Sequence, residues 1–466
     1  MHIEQIYTGC LAQGAYYIRS ENEAAIIDPL RETKPYTSRA EKDGVKIKYI
    51  FETHFHADFV SGHVDLAKKT GATIVFGPNA KTDYQSYVAK DGEEFKVGKL
   101  TVKVLHTPGH TLESTTFLLL DENKKPYCIF SGDTLFIGDV GRPDLAIKSD
   151  LTQEDLAGML FDSLQTKIKS LPDDVIVYPA HGAGSACGKN MSKETFDTLG
   201  NQKQKNYALI ITSKKDFIKE LTTGILPPPQ YFAKNAALNK KGYSAFDEVM
   251  EQGTKALPPA EFETLANQDD VLVLDVRKPE EFAKAHIPNS VFIGIDGQFA
   301  PWVGALISDL KQKIVLIIPL GREEEVVMRL SRVGYDNCLG YLQGGIEEWK
   351  KAGKNLSAIH SISAAEFADK IKTGINVLDV RRPGEYSNQH IKDVSNQPLD
   401  FINEWTENFD RNKEYHIHCA GGYRSMIAAS ILKARGFDKL IDVAGGFGAI
   451  CKTNVPLTEV SSCSKS

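Results

Sequence analysis

The sequence predicts a multidomain α/β protein, and three observations support this prediction. The chain has 466 residues, which is too long for one ordinary hydrophobic core. In its first half, candidate metal ligands come directly after short apolar runs, as expected where sheet strands end at a functional site. In its second half the motif around Asp275 recurs around Asp379, which indicates one domain present in two copies.

The first group of candidate ligands follows the apolar residues 47–51, which we interpret as a buried strand. The sequence there is THFHADF at residues 53–59, and imidazoles two positions apart suit a metal ion. Three further apolar runs are each followed by candidate ligands, in HTPGHT at 106–111, SGDT at 131–134 and YPAHG at 178–182. A single His-x-His is a weak signal, but core packing does not explain four strand ends that each present a ligand.

Composition limits the function classes. A net charge of −6 argues against nucleic acid or a membrane surface as the main partner. No apolar run approaches 18 residues, and the N-terminal residues have neither a basic nor an apolar signal region. Seven cysteines without a C-x-x-C pair make a disulfide framework or a zinc ribbon unexpected. We therefore expect a cytoplasmic protein.

The order of these motifs over about residues 1–250 resembles the metallo-β-lactamase superfamily, which implies an αββα sandwich. Two-metal hydrolases of that superfamily, such as the glyoxalase II type, read T-x-H-x-H-x-D-H, and the last histidine binds the second metal. Phe59 stands at that position here, and an aromatic ring cannot coordinate a cation. This departure, together with GRPDL at 141–145, resembles the persulfide dioxygenases, which use one iron.

The resemblance implies one Fe(II) per chain, held by His54, His110 and Asp133. Two histidines and one carboxylate leave three positions of a six-coordinate iron open, enough for a sulfur ligand and O₂ together. Three further residues then become groups that orient the ligands or pass protons, or polar residues left over from a two-metal ancestor. They are His56, Asp58 and His181.

Four residues are candidates for substrate binding. Arg142, followed by Asp144, could hold a carboxylate of a small thiol carrier, or the two could form a pair that braces the loop. Tyr178 is a weaker candidate for a substrate contact. Cys187 follows His181 in a glycine-rich loop, where its thiol could reach the iron pocket or serve as a small inert side chain.

The repeated motif in the second half of the chain is VLDVRKPEEF at 273–282 and VLDVRRPGEY at 377–386. Each copy alternates short apolar strands with helical stretches, the pattern of a doubly wound parallel sheet. In the second copy, a strand runs into CAGGYRS at 419–425, which places Cys419 at a helix N-terminus, where a thiolate is favoured. Gly421 and Gly422 curl the backbone, and Arg424 adds positive charge.

The second copy resembles a rhodanese, whose active-site cysteine carries a persulfide. The resemblance implies that Cys419 is this cysteine. The first copy has IIPLGRE at the corresponding strand end, with no cysteine, and Cys338 lies beyond the following helix. We therefore expect residues 1–254 to form the metallo-β-lactamase-like domain, 255–356 an inactive rhodanese-like domain and 357–466 an active rhodanese domain.

These resemblances predict a persulfide dioxygenase fused to a sulfurtransferase. The iron domain would convert a low-molecular-weight thiol persulfide and O₂ to sulfite and thiol, and Cys419 would form or use thiosulfate. The alternatives are a zinc thioester hydrolase of the glyoxalase II type with an attached sulfurtransferase, and a sulfur carrier in which only Cys419 works. A homo-oligomer is expected. The sequence does not identify the thiol carrier or the direction of sulfur transfer.

Overall fold

The computed structural model describes residues 1–146 and 151–460, and within them the chain forms two compact units. The first unit contains residues 1–247 with 331–334, and the second contains the rest of the described chain. The second unit holds both copies of the repeat, so the predicted three-domain boundaries stay a prediction.

The first unit is built on two sheets. The first sheet has the strand order β1-β2-β3-β4-β5-β6, antiparallel from β1 to β3 and parallel from β3 to β6. Its strands are β1 (His2–Thr8), β2 (Gln13–Ser20), β3 (Glu23–Ile27), β4 (Lys46–Glu52), β5 (Thr73–Phe76) and β6 (Tyr87–Val88).

The second sheet has the order β12-β11-β10-β9-β8-β7, and only the β10–β11 pair in it is parallel among the described residues. Its strands are β7 (Glu94–Val97), β8 (Leu100–His106), β9 (Thr115–Leu120), β10 (Pro126–Gly132), β11 (Ile176–Pro179) and β12 (Asp197–Thr198).

Three apolar clusters hold the layers of this unit together. Between the sheets, Ile18 and Phe51 of the first pack with Phe117 and Phe130 of the second. On the outer faces, helices cover the first sheet through residues such as Leu66, and helices cover the second sheet through a separate cluster. This is the αββα sandwich that the resemblance implied. The helices are α1 (Lys34–Asp43), α2 (His63–Thr70), α3 (Gln153–Ser163), α4 (Leu199–Lys205), α5 (Tyr207–Ile210), α6 (Lys214–Thr222) and α7 (Phe232–Lys241), and a π-helical turn, Leu164–Ile168, continues α3. The next helix, α8 (Phe246–Gly253), begins in the first unit and ends in the second.

The strands predicted to carry ligands end where the sequence indicates. β4, β8, β10 and β11 end at Glu52, His106, Gly132 and Pro179, each within four residues of a predicted site residue. The proline run at 227–229 lies between α6 and α7, so it interrupts the helical region as expected. None of the described helices is long and apolar enough to cross a bilayer. The described cysteines are free thiols, and Cys463 lies outside the described residues.

The second unit contains two fully parallel sheets, as the repeat predicted. The first copy has the order β13-β17-β16-β14-β15 and the second has β18-β21-β20-β19. The strands are β13 (Ala256–Leu257), β14 (Val271–Asp275), β15 (Val291–Phe292), β16 (Lys313–Ile317), β17 (Cys338–Leu342), β18 (His360–Ile362), β19 (Asn376–Asp379), β20 (Tyr415–His418) and β21 (Leu440–Val443).

Helices connect the parallel strands of both copies. Those of the first copy are α9 (Pro259–Ala266), α10 (Pro279–Lys284), α11 (Phe299–Leu306), α12 (Glu323–Ser331) and α13 (Gly345–Lys351). Those of the second copy are α14 (Ala364–Lys370), α15 (Pro383–Asn388), α16 (Ile402–Trp405), α17 (Tyr423–Ala434) and α18 (Gly446–Ile450), with 3₁₀ turns at Ile371–Thr373, Leu399–Phe401 and Thr406–Asn408. The repeat is visible in side-chain contacts as well, because Arg277 pairs with Asp275 and Arg381 pairs with Asp379 through the same atoms at the same distance of 2.6 Å.

Candidate active sites

The three residues predicted as metal ligands meet at the strand ends of the sandwich. One candidate ligand atom from each of His54, His110 and Asp133 lies within 4.8 Å of the others, and all three side chains are buried. His110 Nε2 is 3.4 Å from Asp133 Oδ2, and His54 Nε2 is 3.9 Å from the same oxygen. The loops after β4, β8 and β10 thus bring two imidazoles and one carboxylate together.

Unsatisfied polar atoms show that this cluster fits a metal ion. Among the described residues, His110 Nε2 and both carboxylate oxygens of Asp133 are buried without a hydrogen-bond partner. Buried polar atoms are nearly always paired, because leaving one unpaired costs about 1–3 kcal/mol. A cation bound among these atoms would remove that cost.

Outer hydrogen bonds leave one nitrogen of each histidine available for a metal. His110 Nδ1 donates to the Arg142 carbonyl at 2.8 Å, so its Nε2 carries the lone pair. His54 Nδ1 lies 3.0 Å from Thr53 Oγ1, which itself donates to Asp28 at 2.8 Å. Because the threonine proton is used on Asp28, Thr53 accepts from His54 Nδ1 and leaves Nε2 free.

The protonation of His54 also suits a ligand. Burial, with the neighbouring imidazoles of His56, His110 and His181, lowers the pKa of His54 well below its usual value. A neutral imidazole has the lone pair that a metal requires, whereas an imidazolium has none.

The residues predicted to support the ligands form a second buried cluster. Candidate ligand atoms of His56, Asp58 and His181 also lie within 4.8 Å of one another. Phe59 is fully buried against this cluster, with its ring centroid 4.3 Å from that of His56 and 6.4 Å from that of His181. A hydrocarbon ring therefore lies where the two-metal pattern has a histidine.

His181 connects this second cluster to the first. Its Nε2 lies 3.5 Å from Asp58 Oδ2 and 3.6 Å from Asp133 Oδ1. Burial raises the pKa of the Asp58 carboxyl above its usual value, although the nearby His181 imidazole acts against this shift. A proton shared along Asp58 and His181 would therefore lie next to the Asp133 carboxylate.

Asp28, which follows β3, is a residue of this site that the sequence analysis did not single out. Asp28 accepts from the Thr53 amide and hydroxyl, both at 2.8 Å, and its Oδ1 lies 3.1 Å from His56 Nε2. It thus orients residues on both sides of His54. The available signal was its place at the end of a strand neighbouring β4, where carboxylates commonly serve a site.

The Arg142–Asp144 pair takes the bracing arrangement. The Arg142 guanidinium donates twice to Asp144, at 2.6 and 2.7 Å, and also to the carbonyls of Ala186 at 3.1 Å and Leu226 at 2.6 Å. The side chain is 8% exposed. Since most of its donors are used within the protein, the geometry favours the brace over the carboxylate-binding role.

Tyr178 and Cys187 lie in different surroundings. Tyr178 stacks on Phe130 at 5.8 Å and packs against the core between the sheets, which accounts for it without a substrate contact. Cys187 is buried, and its sulfur lies within 4.8 Å of ligand atoms of Asp133 and His181. Burial raises the pKa of the Cys187 thiol well above its usual value, so this thiol is protonated at neutral pH.

In the second unit, Cys419 follows β20 and begins the loop that leads into α17. The Gly422 amide donates to Cys419 Sγ at 3.1 Å, as the predicted curl of the loop requires. Arg424 donates to both oxygens of Glu385, at 2.6 and 2.8 Å. Its charge is therefore shared with a carboxylate that the sequence reasoning did not single out.

Gly446 and the two residues that follow it support the same loop from behind. The amide of Phe447 donates to the Cys419 carbonyl at 2.7 Å, and the amide of Gly448 donates to the Ala420 carbonyl at 3.0 Å. Gly446 has φ of 54°, and a Cβ there would overlap the Cys419 carbonyl and lie 2.8 Å from the Ala420 carbonyl carbon. Only glycine allows this close approach.

The first copy lacks this arrangement. The segment after β16 has Pro319 and Leu320 in place of the cysteine loop, and Leu320 is 91% exposed. Cys338 begins β17, is buried and lies beyond α12, as predicted. Nothing in this copy offers a nucleophile at the strand end.

Comparison with known families agrees with this organisation. Residues 8–181 match the metallo-β-lactamase superfamily, and residues 258–352 and 363–453 each match the rhodanese-like domain. A crystal structure of a metallo-β-lactamase from Staphylococcus aureus subsp. aureus COL superimposes with a TM-score of 0.64 and 33% identity, covering 73% of this chain and 98% of that one.

Relatives of the first unit include proteins of two activity classes. Human mitochondrial persulfide dioxygenase ETHE1 is 30% identical over 214 residues, 46% of this chain and 76% of that protein. A probable hydroxyacylglutathione hydrolase, glo2 of Schizosaccharomyces pombe, is 34% identical over 160 residues, 34% of this chain and 58% of that protein. The chain therefore belongs to the metallo-β-lactamase superfamily, with homologues among the persulfide dioxygenases, and carries two rhodanese-like domains after its metallo-β-lactamase domain.

Proposed function

We propose that the first unit is an iron-dependent persulfide dioxygenase and that Cys419 is a sulfurtransferase nucleophile acting on the same sulfur compounds. Two features of the first site support the dioxygenase proposal. Two imidazoles and one carboxylate converge with unsatisfied ligand atoms, and Phe59 lies against the neighbouring cluster. The similarity to a persulfide dioxygenase supports it.

In this proposal, His54, His110 and Asp133 hold one Fe(II) per chain. Bound there, the iron would supply the redox chemistry that allows O₂ to react with a sulfane sulfur. The balanced reaction is RSSH + O₂ + H₂O → RSH + SO₃²⁻ + 2H⁺. Thr53 and Asp28 fix the orientation of His54, and the Arg142 carbonyl fixes that of His110.

The remaining residues of the site provide protons and shape. His181 lies 3.5 Å from Asp58 and 3.6 Å from Asp133, and the Asp58–His181 pair would accept the protons that the reaction releases. Cys187 lies in the same buried environment, where its protonated thiol lines the site. Arg142 and Asp144 brace the loop that carries the His110 acceptor.

The second reaction takes place at Cys419. The Cys419 thiolate attacks the outer sulfur of a persulfide, the S–S bond breaks, and the electron pair leaves with the thiolate RS⁻. Sulfite then attacks the outer sulfur of the Cys419 persulfide, which yields thiosulfate and restores the Cys419 thiolate. The Gly422 amide stabilises the negative sulfur in both states. Tethering the two activities makes the product of one available to the other.

A Cys419→Ser variant tests the coupling, with Cys451→Ser as the matched control because Cys451 is an exposed cysteine of the same domain. With a thiol persulfide and O₂, we expect the Cys419 variant to consume oxygen at the wild-type rate and to accumulate sulfite without thiosulfate. The control should produce thiosulfate. Thiosulfate formation by the Cys419 variant would contradict the transferase role, and loss of oxygen uptake would contradict an independent dioxygenase.

A zinc thioester hydrolase is the second candidate function. The buried cluster of His56, Asp58 and His181 favours it, because the superfamily uses such residues for a second metal, and a hydroxyacylglutathione hydrolase is among the relatives. Hydrolysis of S-lactoylglutathione by the zinc-loaded protein would support this function. We also propose a cytoplasmic location and a homo-oligomeric state, which cell fractionation and analytical ultracentrifugation would test.

A further inference from the structure

The cavity in front of Cys419 has one wall that comes from the first, cysteine-less copy. The cavity has a volume of about 390 Å³. Its second-copy walls include Arg382 and Tyr423, while Gln298 and Trp302 belong to the first copy. Gln298 precedes α11, and Trp302 lies within it. The copy without a nucleophile therefore contributes directly to the surface that a sulfur donor would meet.

The contacts between the copies fix this wall against the active-site loop. The Tyr423 hydroxyl donates to the Gly294 carbonyl at 2.6 Å. A Cβ at Gly297 would overlap the Tyr423 ring, so the glycine makes room for that ring. Nearby, the Phe292 amide donates to Ser430 Oγ at 2.9 Å. Because Tyr423 is the first residue of α17, the segment that leads into α11 is held in register with the Cys419 loop.

The chemistry of the cavity fits an organic donor better than a small inorganic anion. Its volume lies within the range of about 300–1,000 Å³ that small-molecule sites occupy. The Arg382 guanidinium lies 5.7 Å from the Trp302 ring centroid, and its side chain is 51% exposed. Its ion pair with Asp400 is loose, because Nε lies 3.6 Å from Asp400 Oδ1, which is longer than a hydrogen bond. In contrast, the Arg424 guanidinium already donates hydrogen bonds to both carboxylate oxygens of Glu385. Arg382 is therefore the guanidinium that can bind an incoming carboxylate or phosphate, with the indole beside it for an apolar group.

We propose that Trp302 and Arg382 form a specificity site for organic persulfides that carry a carboxylate or phosphate, so that the cysteine-less copy selects the sulfur donor of Cys419. This inference rests on the proposed transferase function. In the loading step, the Cys419 thiolate takes the outer sulfur of the bound persulfide and RS⁻ leaves with the bonding electrons. Thiosulfate, the small inorganic donor, needs only the loop around Cys419, so its transfer does not depend on Trp302 or Arg382.

The test compares two donors in the full-length protein without oxygen, so that no dioxygenase reaction consumes the persulfide. Glutathione persulfide and thiosulfate are the donors, cyanide is the acceptor, and thiocyanate is measured. The variants are Trp302→Leu, Trp302→Phe and Arg382→Gln. Arg411→Gln is the matched control, since Arg411 is an exposed arginine of the same domain.

We expect Trp302→Leu and Arg382→Gln to raise KM for glutathione persulfide, relative to KM for thiosulfate, by about tenfold, the effect of losing one good contact in a binding pocket. Trp302→Phe should recover part of this ratio, and Arg411→Gln should match the wild type. If the ratio of the two KM values stays unchanged, whether both values change equally or neither changes, the specificity role is refuted. A wild-type protein that transfers sulfur from neither donor would instead refute the proposed transferase function. Because Arg382 is exposed, its variant keeps the test decisive if Trp302→Leu fails to fold.

Discussion

Replacing Thr53 by valine tests whether the hydrogen bonds behind His54 hold a metal ligand. Valine keeps the shape of threonine but lacks the hydroxyl that accepts from His54 Nδ1 at 3.0 Å and donates to Asp28 at 2.8 Å. The variant leaves all three proposed iron ligands intact. A change in iron affinity would therefore come from the loss of the hydroxyl that links His54 to Asp28.

Two independent estimates give the size of the effect. Leaving a buried donor such as His54 Nδ1 without its partner costs about 1–3 kcal/mol. Loss of an outer hydrogen bond to a metal-bound histidine typically lowers metal affinity about 10–100-fold. That factor corresponds to about 1.4–2.7 kcal/mol. We therefore expect Thr53→Val to weaken iron binding by about 10–100-fold.

Anaerobic iron titration against a competing chelator measures this change, and oxygen uptake with a thiol persulfide follows its consequence. Thr116→Val is the matched control, because Thr116 is also fully buried and its hydroxyl bonds only to Thr107 among the contacts seen for the described residues. Thermal denaturation of both apo-variants separates general destabilisation from loss of iron. An iron affinity equal to that of Thr116→Val would refute the proposed role of Thr53.

Two further predictions concern the Cys419 domain. Arg424 donates hydrogen bonds to Glu385 that hold the pKa of this carboxyl below its usual value. The ion pair therefore stabilises the folded domain fully at pH values above the ordinary glutamate pKa of about 4.3. This stabilisation is lost as the pH falls through the lower pKa of the folded state. Glu385→Gln should lower the urea midpoint at pH 7, and its difference from the wild type should shrink below about pH 4; a difference that is constant with pH would contradict this. Gly446→Ala should lower stability by about 1–3 kcal/mol and reduce sulfur transfer, because the new Cβ would overlap the Cys419 carbonyl. Gly384→Ala, where a Cβ meets nothing within 4 Å, is its control, and equal stability of the two variants would refute the close-approach argument.

The sequence was most informative where local patterns and chemistry coincide. Apolar runs ending in polar motifs located the strand ends of the sandwich, since a buried strand must be apolar and its end can present a ligand. The repeated domain, and the absence of the cysteine from its first copy, could be predicted from the sequence for the same reason. His54, His110 and Asp133 lie together as the resemblance implied.

The remainder depended on contacts that no local pattern records. Asp28 supports His54 from a different strand, and Glu385 pairs with Arg424 from a different helix. Trp302 belongs to a copy that appeared inactive, so nothing in its own segment pointed to the Cys419 cavity. Such partners are set by tertiary packing, and a single sequence read on its own gives no signal for them.

Metal content combined with oxygen uptake tests the central claim most directly. Protein purified without oxygen should contain one iron per chain and consume O₂ with a thiol persulfide. Chelation should abolish the uptake, iron should restore it, and zinc should not, because Zn²⁺ has no redox chemistry. Two zinc ions per chain with rapid thioester hydrolysis, and no oxygen uptake by the iron-loaded protein, would contradict the assignment.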